Sequence, residues 1–228
     1  MKIFIDCDTQ VDFCAKKGAL FVPGAEKLYD IWEDLVNYAR KKEHLILGSV
    51  DSHTYDSWEF KTNSYLGPNG QKPNFPRHCV KGTQGWLKIL ETFVMNSVFV
   101  PANANDISYL YGKKDLEAIY FEKEVYSLLS NILSERFFAY THTVLPDTLI
   151  EYYVFGVATD YCVYETCVDM AQMLKKPFVS SDVSYNGKVF LIEDAIVGID
   201  KEKSAQCIEN LKRLGVVTTT SQEVMKIA

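Results

Sequence analysis

The chain has a deficit of positive charge, no long apolar segment and no closely paired cysteines. It carries 24 Lys and Arg against 30 Asp and Glu, a net charge of −6. This balance argues against nucleic acid as the main partner, because such partners need a basic surface. No apolar run reaches the length of about 18 residues that a membrane span requires. The six cysteines include no Cys-x-x-Cys pair, so we expect reduced thiols rather than a disulfide scaffold or a zinc knuckle.

The remaining composition is that of a globular protein. Apolar residues make up 47% of the 228 positions and charged residues 24%, enough apolar surface for a substantial core. The first residues are typical of a strand that soon reaches Asp6, and not of a secretion signal. We therefore expect a single cytoplasmic domain over 1–228, with an insertion-rich region around 92–151.

Apolar runs alternate with amphipathic stretches along the chain. Strands are predicted at Lys2–Cys7, His44–Val50, Ser97–Val100, Ala118–Phe121, Tyr152–Val157, Lys188–Glu193 and Val216–Thr218. Helices are predicted near Gly24–Lys42, Asp106–Lys113, Pro146–Ile150, Tyr161–Lys175, Lys203–Leu214 and Ser221–Ile227. This alternation predicts a three-layer α/β/α fold with a mostly parallel central sheet. Ligands of such sheets bind at the carboxyl ends of the strands.

The segment 154–163 indicates a nucleophile. An apolar strand ends in small residues, and Cys162 follows where a helix is expected to begin. The positive end of a helix dipole lowers the pKa of a thiol and favours the thiolate. The alternative is a small buried core thiol, which is the commoner role of a lone cysteine.

Asp51, His53 and His78 suit a divalent metal, with Glu59 as a further ligand candidate. Two histidines and a carboxylate leave coordination positions open for water or substrate, as in catalytic sites. The imidazole and carboxylate ligands of such a site suit Zn²⁺, Fe²⁺ or Mn²⁺, and their chemical softness does not decide among these ions. The alternatives are turn-capping loop residues or a purely structural metal site. The surrounding residues 51–85 are rich in Gly, Pro, Asn and Ser, which predicts a long functional loop.

Two further charged residues follow predicted strands. Asp8 comes after the first strand, where a partly buried carboxylate can act as a general base toward a thiol. Lys123 follows the strand at 118–121, and if it points inward its charge would hold Asp8 ionised; most lysines in such positions are solvated. For Asp6 and Asp12 we expect solvated turn residues, while Phe13 is a candidate aromatic wall.

Together these segments resemble the nicotinamidase/pyrazinamidase family of the isochorismatase-like cysteine hydrolases. The matching segments run in the family's order from residue 3 to about 171. The catalytic triad of that family matches Asp8, Lys123 and Cys162, the last within a Gly-x-Ala-Thr-Asp-x-Cys-Val segment. Its metal motif, an Asp-x-His followed by Pro-x-His-Cys-Val, matches Asp51, His53 and His78. Many members have a further histidine where this chain has Glu59, so direct or water-mediated ligation by Glu59 is open.

The resemblance implies hydrolysis of the small molecule nicotinamide to nicotinate and ammonia through a cysteine thioester. It implies a divalent metal, Zn²⁺ as first choice with Fe²⁺ or Mn²⁺ open, that binds the pyridine nitrogen. It also implies a cis peptide between Val157 and Ala158, and an oxyanion hole made by the N–H groups of Ala158 and Cys162. Phe13, Phe75 and Ala158 match substrate-binding positions.

The chain departs from compact family members at 92–118, 131–151 and 176–188. The sequence therefore does not decide the shape of a lid over the site or whether the protein forms a homo-oligomer. The nearest rival function is a ureido- or carbamoyl-amide hydrolase of the same fold, a group that generally lacks the metal site. A second rival is a binding or regulatory protein that has lost activity, against which the intact triad positions argue.

Overall fold

The computed structural model describes residues 1–67, 70–113, 115–176 and 185–226. The strands are β1 (Lys2–Cys7), β2 (Leu45–Asp51), β3 (Ser97–Val100), β4 (Ala118–Lys123), β5 (Ile150–Val157), β6 (Gly187–Val197) and β7 (Val217–Thr219). The α-helices are α1 (Val11–Cys14), α2 (Tyr29–Lys41), α3 (Ile132–Val144), α4 (Tyr164–Met173), α5 (Lys201–Leu214) and α6 (Ser221–Lys226). A π-helical turn, Thr159–Val163, precedes α4.

The seven strands form one sheet in the order β3-β4-β2-β1-β5-β6-β7. Every strand pair within it is parallel. The chain first builds outward from β1 through β2, and later returns to β1 to add β5 on its other side. Such a reversal opens a crevice at the carboxyl ends of the strands. The predicted α/β class with a parallel central sheet is confirmed.

Helices cover both faces of the sheet, because alternate residues of the buried strands point to opposite faces. One core cluster joins Phe4 and Ile46 to α2 and α6 through Trp32 and Val224. The other joins Ile5 and Leu47 to helices on the opposite face; its helical members include Leu133, Phe137, Met170 and Leu211 of α3, α4 and α5. The molecule thus has the expected three layers.

The prediction of a helix near Pro146–Ile150 is wrong. α3 lies before it, at Ile132–Val144, and Ile150 already begins β5. The Asn131 side chain accepts a hydrogen bond from Leu133 N, which caps the start of α3. Pro146 lies just beyond the end of α3, a common position for proline because it cannot continue a helix. The helix predicted near Asp106–Lys113 is also reduced, to a single 3₁₀ turn at Ser108–Leu110.

Within the described ranges, no helix combines the length and the apolar character that a membrane crossing demands. The extra segment at 176–188 falls largely outside the described residues, since 177–184 are not among them. The single domain over 1–228 therefore stays a prediction.

Candidate active site and metal centre

Four neighbouring strands bring the candidate residues to one edge of the sheet. Asp51 and Lys123 are the last residues of β2 and β4 and stand opposite each other in register. Asp8 follows β1, where it adopts a left-handed conformation with φ 49°. Cys162 follows β5 in the π-helical turn. All four are buried, so the sequence-predicted residues lie together rather than on the surface.

Lys123 points inward and lies between three of these groups. Its Nζ is 2.8 Å from Oδ2 of Asp8, 3.4 Å from Oδ1 of Asp51 and 3.6 Å from Sγ of Cys162. Burial by itself lowers the pKa of this ammonium, but the two carboxylates outweigh burial and hold the pKa well above its usual value. Lys123 is therefore a cation. Asp8 is also fixed by a hydrogen bond of 2.8 Å that the Ser49 hydroxyl donates to Oδ1.

The expectation of a lowered pKa at Cys162 is wrong for the free protein. Burial raises the pKa of this thiol well above its ordinary value, Lys123 acts in the opposite direction, and Asp8 raises it further. The turn before α4 therefore does not deliver a ready thiolate. Cys162 needs a base, and the carboxylate of Asp8 lies against the same Lys123 ammonium as the thiol.

Asp51, His53, Glu59 and His78 form a buried cluster that could hold a divalent metal. One donor atom from each lies within 4.8 Å of every other. Nε2 of His53 is 3.0 Å from both Oδ2 of Asp51 and Oε1 of Glu59, and Nε2 of His78 is 3.2 Å from the same two oxygens. The loop 52–80 brings these residues together, with His53 paired to Val80 in a short bridge.

The donor set fits a metal ion. Four ligands at zinc–nitrogen and zinc–oxygen distances of about 2.0–2.1 Å stand about 3.3 Å apart in a tetrahedron, close to the observed spacings. Oε1 of Glu59 is buried and has no hydrogen-bond partner among the described residues. His78 donates through Nδ1 to the Pro76 carbonyl at 2.9 Å, which leaves Nε2 free to coordinate. Because the Glu59 and Asp51 oxygens lie at the same distances from the two histidine nitrogens, the geometry supports direct ligation by Glu59.

One cavity joins the thiol to this metal centre. Its wall includes Cys162 together with Asp51, Glu59 and His78 of the candidate metal centre. The remaining lining is mainly apolar and aromatic: Phe13, Leu20, Val22, Phe75, Glu124, Val125, Tyr126, Val157, Ala158, Tyr161 and Ile199. The cavity is suited to a small aromatic molecule, because few polar groups face an apolar interior.

The predicted aromatic residues lie around the metal centre. The ring of Phe13 is 5.5 Å from that of His78, and the ring of Phe75 is 5.9 Å from His78 on an edge-to-face approach. Phe75 also contacts Tyr161 at 6.3 Å. Phe60, which the sequence did not single out, packs against both His53 and His78 and supports them from behind.

The backbone between β5 and Cys162 has the form that the family resemblance implies. The peptide bond between Val157 and Ala158 is cis. Gly156 has φ 118°, and a Cβ at this position would lie 2.1 Å from the Cys7 carbonyl oxygen. Only glycine fits this close approach of β5 to β1. Ala158 lines the cavity beside Cys162.

The prediction that Asp6 and Asp12 are solvated turn residues is wrong. Asp6 is fully buried and pairs with Lys88 at 2.8 Å. Asp12 accepts hydrogen bonds from the backbone N–H groups of Cys79, at 2.7 Å, and Ala19. Asp12 therefore holds the residue next to His78. Carboxylates occupy these positions because N–H and ammonium donors from distant segments converge there, which a local pattern does not show.

Gln10 is a further residue that sequence reasoning missed. Its Nε2 donates to the Asp51 carbonyl at 2.9 Å and to the Trp86 carbonyl, while its Oε1 accepts from Asp51 N–H at 2.7 Å. This pair of bonds fixes the backbone of a candidate metal ligand. Only the position of Gln10 directly after the first strand could have suggested such a role.

Comparison with known proteins agrees with this geometry, although no family model matches the chain. A nicotinamidase of Saccharomyces cerevisiae is 26% identical over 198 residues, which cover 80% of this chain and 87% of that protein. The zinc complex of a pyrazinamidase from Pyrococcus horikoshii superimposes with a TM-score of 0.67 at 23% identity, covering 96% of this chain and 98% of that one. An isochorismatase-like hydrolase from Alkaliphilus metalliredigens superimposes with a TM-score of 0.65 at 17% identity, covering 99% and 97%.

The chain therefore shares the fold of an isochorismatase-like hydrolase, with Asp8, Lys123 and Cys162 buried together at one edge of the sheet. In sequence, the chain is similar at 26% identity to nicotinamidases of yeast and Escherichia coli.

Proposed function

We propose that this protein is an amidohydrolase that converts nicotinamide to nicotinate and ammonia. One observation carries the proposal: a single small cavity is lined by Cys162 and by Asp51, Glu59 and His78 of the buried Asp-His-Glu-His cluster. A pyridine carboxamide needs these two features at once, because its ring nitrogen is a metal ligand and its amide carbon is an electrophile. The relative from yeast is itself a nicotinamidase.

Asp51, His53, Glu59 and His78 would hold the metal, for which we propose Zn²⁺. A metal bound there would supply a Lewis acid for the pyridine ring nitrogen, which would orient the carboxamide. Phe13 and Phe75 close on the ring, and the apolar wall excludes water from the thiol. The zinc complex of the related pyrazinamidase supports this choice of ion.

Asp8 acts as the general base in the first half of the reaction. It takes the proton of the Cys162 thiol, and the thiolate sulfur forms a bond to the amide carbon. The N–H groups of Ala158 and Cys162 donate to the negative oxygen of the tetrahedral intermediate. Asp8 then passes its proton to the amide nitrogen, the carbon–nitrogen bond breaks, and ammonia leaves a thioester on Cys162.

The second half uses the same groups, with Asp8 again first the base and then the acid. Asp8 removes a proton from water, the hydroxide oxygen bonds to the thioester carbon, and the carbon–sulfur bond breaks to give nicotinic acid. The carboxyl proton passes to the released ammonia or to solvent, which leaves nicotinate. The proton returns from Asp8 to the sulfur. Lys123 stays charged throughout and compensates the negative charge that passes between Asp8 and Cys162.

The test is hydrolysis of three substrates by the zinc-loaded protein. Nicotinamide should give equal amounts of nicotinate and ammonia. Benzamide, the same amide without a ring nitrogen, should react at least about 100-fold less efficiently in kcat/KM, because orientation by the metal is lost. Equal rates for the two amides would contradict the ring-nitrogen assignment. Preference for a carbamoyl amide would instead favour the rival hydrolase activity, which the metal cluster argues against.

A further inference from the structure

A second buried ion pair lies behind the active site and has no part in the proposed chemistry. Nζ of Lys88 is 2.8 Å from Oδ2 of Asp6, and both side chains have 0% exposure. The Lys88 ammonium also lies 4.6 Å from the centre of the Tyr120 ring. Asp6 belongs to β1, two residues before Asp8, and Lys88 belongs to the segment 84–92.

Stability alone is a weak explanation for this pair. Removing two charges from water is costly, and replacing a buried ion pair by apolar residues of similar volume is often neutral or stabilising. In some proteins a buried charge pair instead fixes a single geometry among the groups around it. The contacts of Asp6 and Lys88 therefore indicate which part of the structure the pair fixes.

The pair is fastened to Thr9, the immediate neighbour of Asp8. The Thr9 hydroxyl donates to Oδ1 of Asp6 at 2.8 Å and accepts from Lys88 Nζ at 2.8 Å. Its second lone pair faces the Thr92 hydroxyl at 2.6 Å. Since one hydrogen and two lone pairs are all used, the Thr9 side chain is held in one position.

The backbone around Lys88 is bonded to the residues that follow Asp8. Ile89 N–H donates to the Thr9 carbonyl at 3.0 Å, and Val11 N–H donates to the Leu87 carbonyl at 2.9 Å. Between them, Gln10 bonds Trp86 and fixes the backbone of Asp51. The segment around Lys88 therefore supports the turn that carries both Asp8 and Gln10.

We propose that Lys88 and Asp6 are positioning residues for Asp8: their buried ion pair, acting through Thr9, locks the turn that aims the catalytic carboxylate at Cys162. The assignment of Asp8 as the base rests on the proposed function. Because Asp8 turns away from β1 with a positive φ, the strand alone does not define where its carboxylate points. Ser49 and Lys123 hold the carboxylate itself, and the pair constrains the turn that carries it.

The test compares Lys88→Met with Arg40→Met, which removes one partner of the exposed Arg40–Glu117 ion pair. We expect Lys88→Met to lower kcat for nicotinamide about tenfold or more with KM changed less than about twofold, because small displacements of a catalytic group are costly. Alkylation of Cys162 by iodoacetamide at a fixed pH, mapped by peptide mass spectrometry, should slow in parallel. Bound metal should be unchanged, and Arg40→Met should leave all three quantities at wild-type values.

A double variant, Asp6→Asn with Lys88→Met, separates positioning from stability. It leaves no unpaired buried charge, so its unfolding free energy should return toward wild type even if Lys88→Met folds poorly. Low kcat and slow alkylation in this stable double variant support the positioning role. Recovery of both rates together with stability would overturn it, as would wild-type rates in Lys88→Met. If the wild type fails to hydrolyse nicotinamide, the proposed function fails, while the alkylation rates still decide this inference.

Discussion

Lys123 Nζ lies 3.4 Å from Oδ1 of Asp51, and these two residues stand opposite each other at the ends of β4 and β2. The other carboxylate oxygen of Asp51 faces His53 and His78. Asp51 therefore belongs to the candidate metal centre through one oxygen and to the thiol side of the cavity through the other. Lys123 completes the connection because it also contacts Asp8 and Cys162.

Replacing Cys162 by Ala should abolish turnover and leave the fold and bound metal in place. We expect loss of at least about four orders of magnitude in kcat, as is usual when a covalent nucleophile is removed. Ammonia release and metal content measure the two effects. Cys207→Ala, which removes a buried thiol on α5 outside the cavity, is the control and should keep its activity. Substantial turnover by Cys162→Ala would disprove the thioester pathway.

His53→Ala should remove the metal. Loss of one of four converging donors leaves an incomplete site, so we expect the purified variant to hold little or no zinc and to bind nicotinamide more weakly. Elemental analysis after dialysis gives the metal content. The matched control is His44→Ala, which removes a histidine that stacks on Phe4 far along the sheet. Full zinc occupancy in His53→Ala would refute the assignment of this ligand.

Glu59→Gln should weaken zinc binding by about 10- to 100-fold or more, because the orphan carboxylate oxygen that faces both histidines becomes a neutral donor or acceptor. A competition titration against a chromophoric chelator measures the dissociation constant. Glu124→Gln changes another carboxylate of the same cavity, one outside the metal cluster, and should bind zinc as the wild type does. An unchanged constant in Glu59→Gln would mean that Glu59 does not ligate the metal.

The buried His142 should make stability depend on pH. Burial lowers the pKa of His142 from 6.5 to about 4, and its Nε2 is 2.8 Å from the Tyr152 hydroxyl. The folded protein keeps this ring neutral while the unfolded chain binds a proton, so its contribution is present above pH 6.5 and is lost as the pH falls toward about 4.

We therefore expect His142→Gln, which keeps a hydrogen-bonding side chain but cannot be protonated, to lose less stability on acidification. Urea titrations at several pH values give the unfolding free energies. The difference between wild type and variant should be constant above pH 7 and shift in favour of the variant below about pH 6.5. Parallel curves over the whole range would show that His142 does not contribute.

Much of the fold and of the site could be predicted from the sequence because the relevant signals are local. Apolar runs marked the strands, and the residues directly after them, such as Asp8 and Cys162, were predicted to share one edge. The motif around His53 and His78 likewise fixes which side chains can meet. These inferences need only the order of elements and the geometry of a parallel sheet.

What could not be predicted depends on contacts between distant segments. The partner of Asp6 is Lys88, and the partner of Asp12 is the backbone of Cys79, so neither partner could be recognised from the residues that neighbour these carboxylates in sequence. The pKa of Cys162 was misjudged for the same reason: a local pattern shows the helix start, but not the complete burial that outweighs it. The sequence predicts a helix that begins at Pro146, whereas Pro146 lies just beyond the end of α3. Proline is common in both positions, so the residue alone does not distinguish them.

The most direct test of the account is ammonia release from nicotinamide before and after removal of the metal with a chelator. The zinc-loaded protein should be active, should lose its activity on chelation and should regain it when zinc is added back, while Cys162→Ala should be inactive at every stage. No hydrolysis of nicotinamide by the metal-loaded protein, or activity that chelation leaves unchanged, would contradict it.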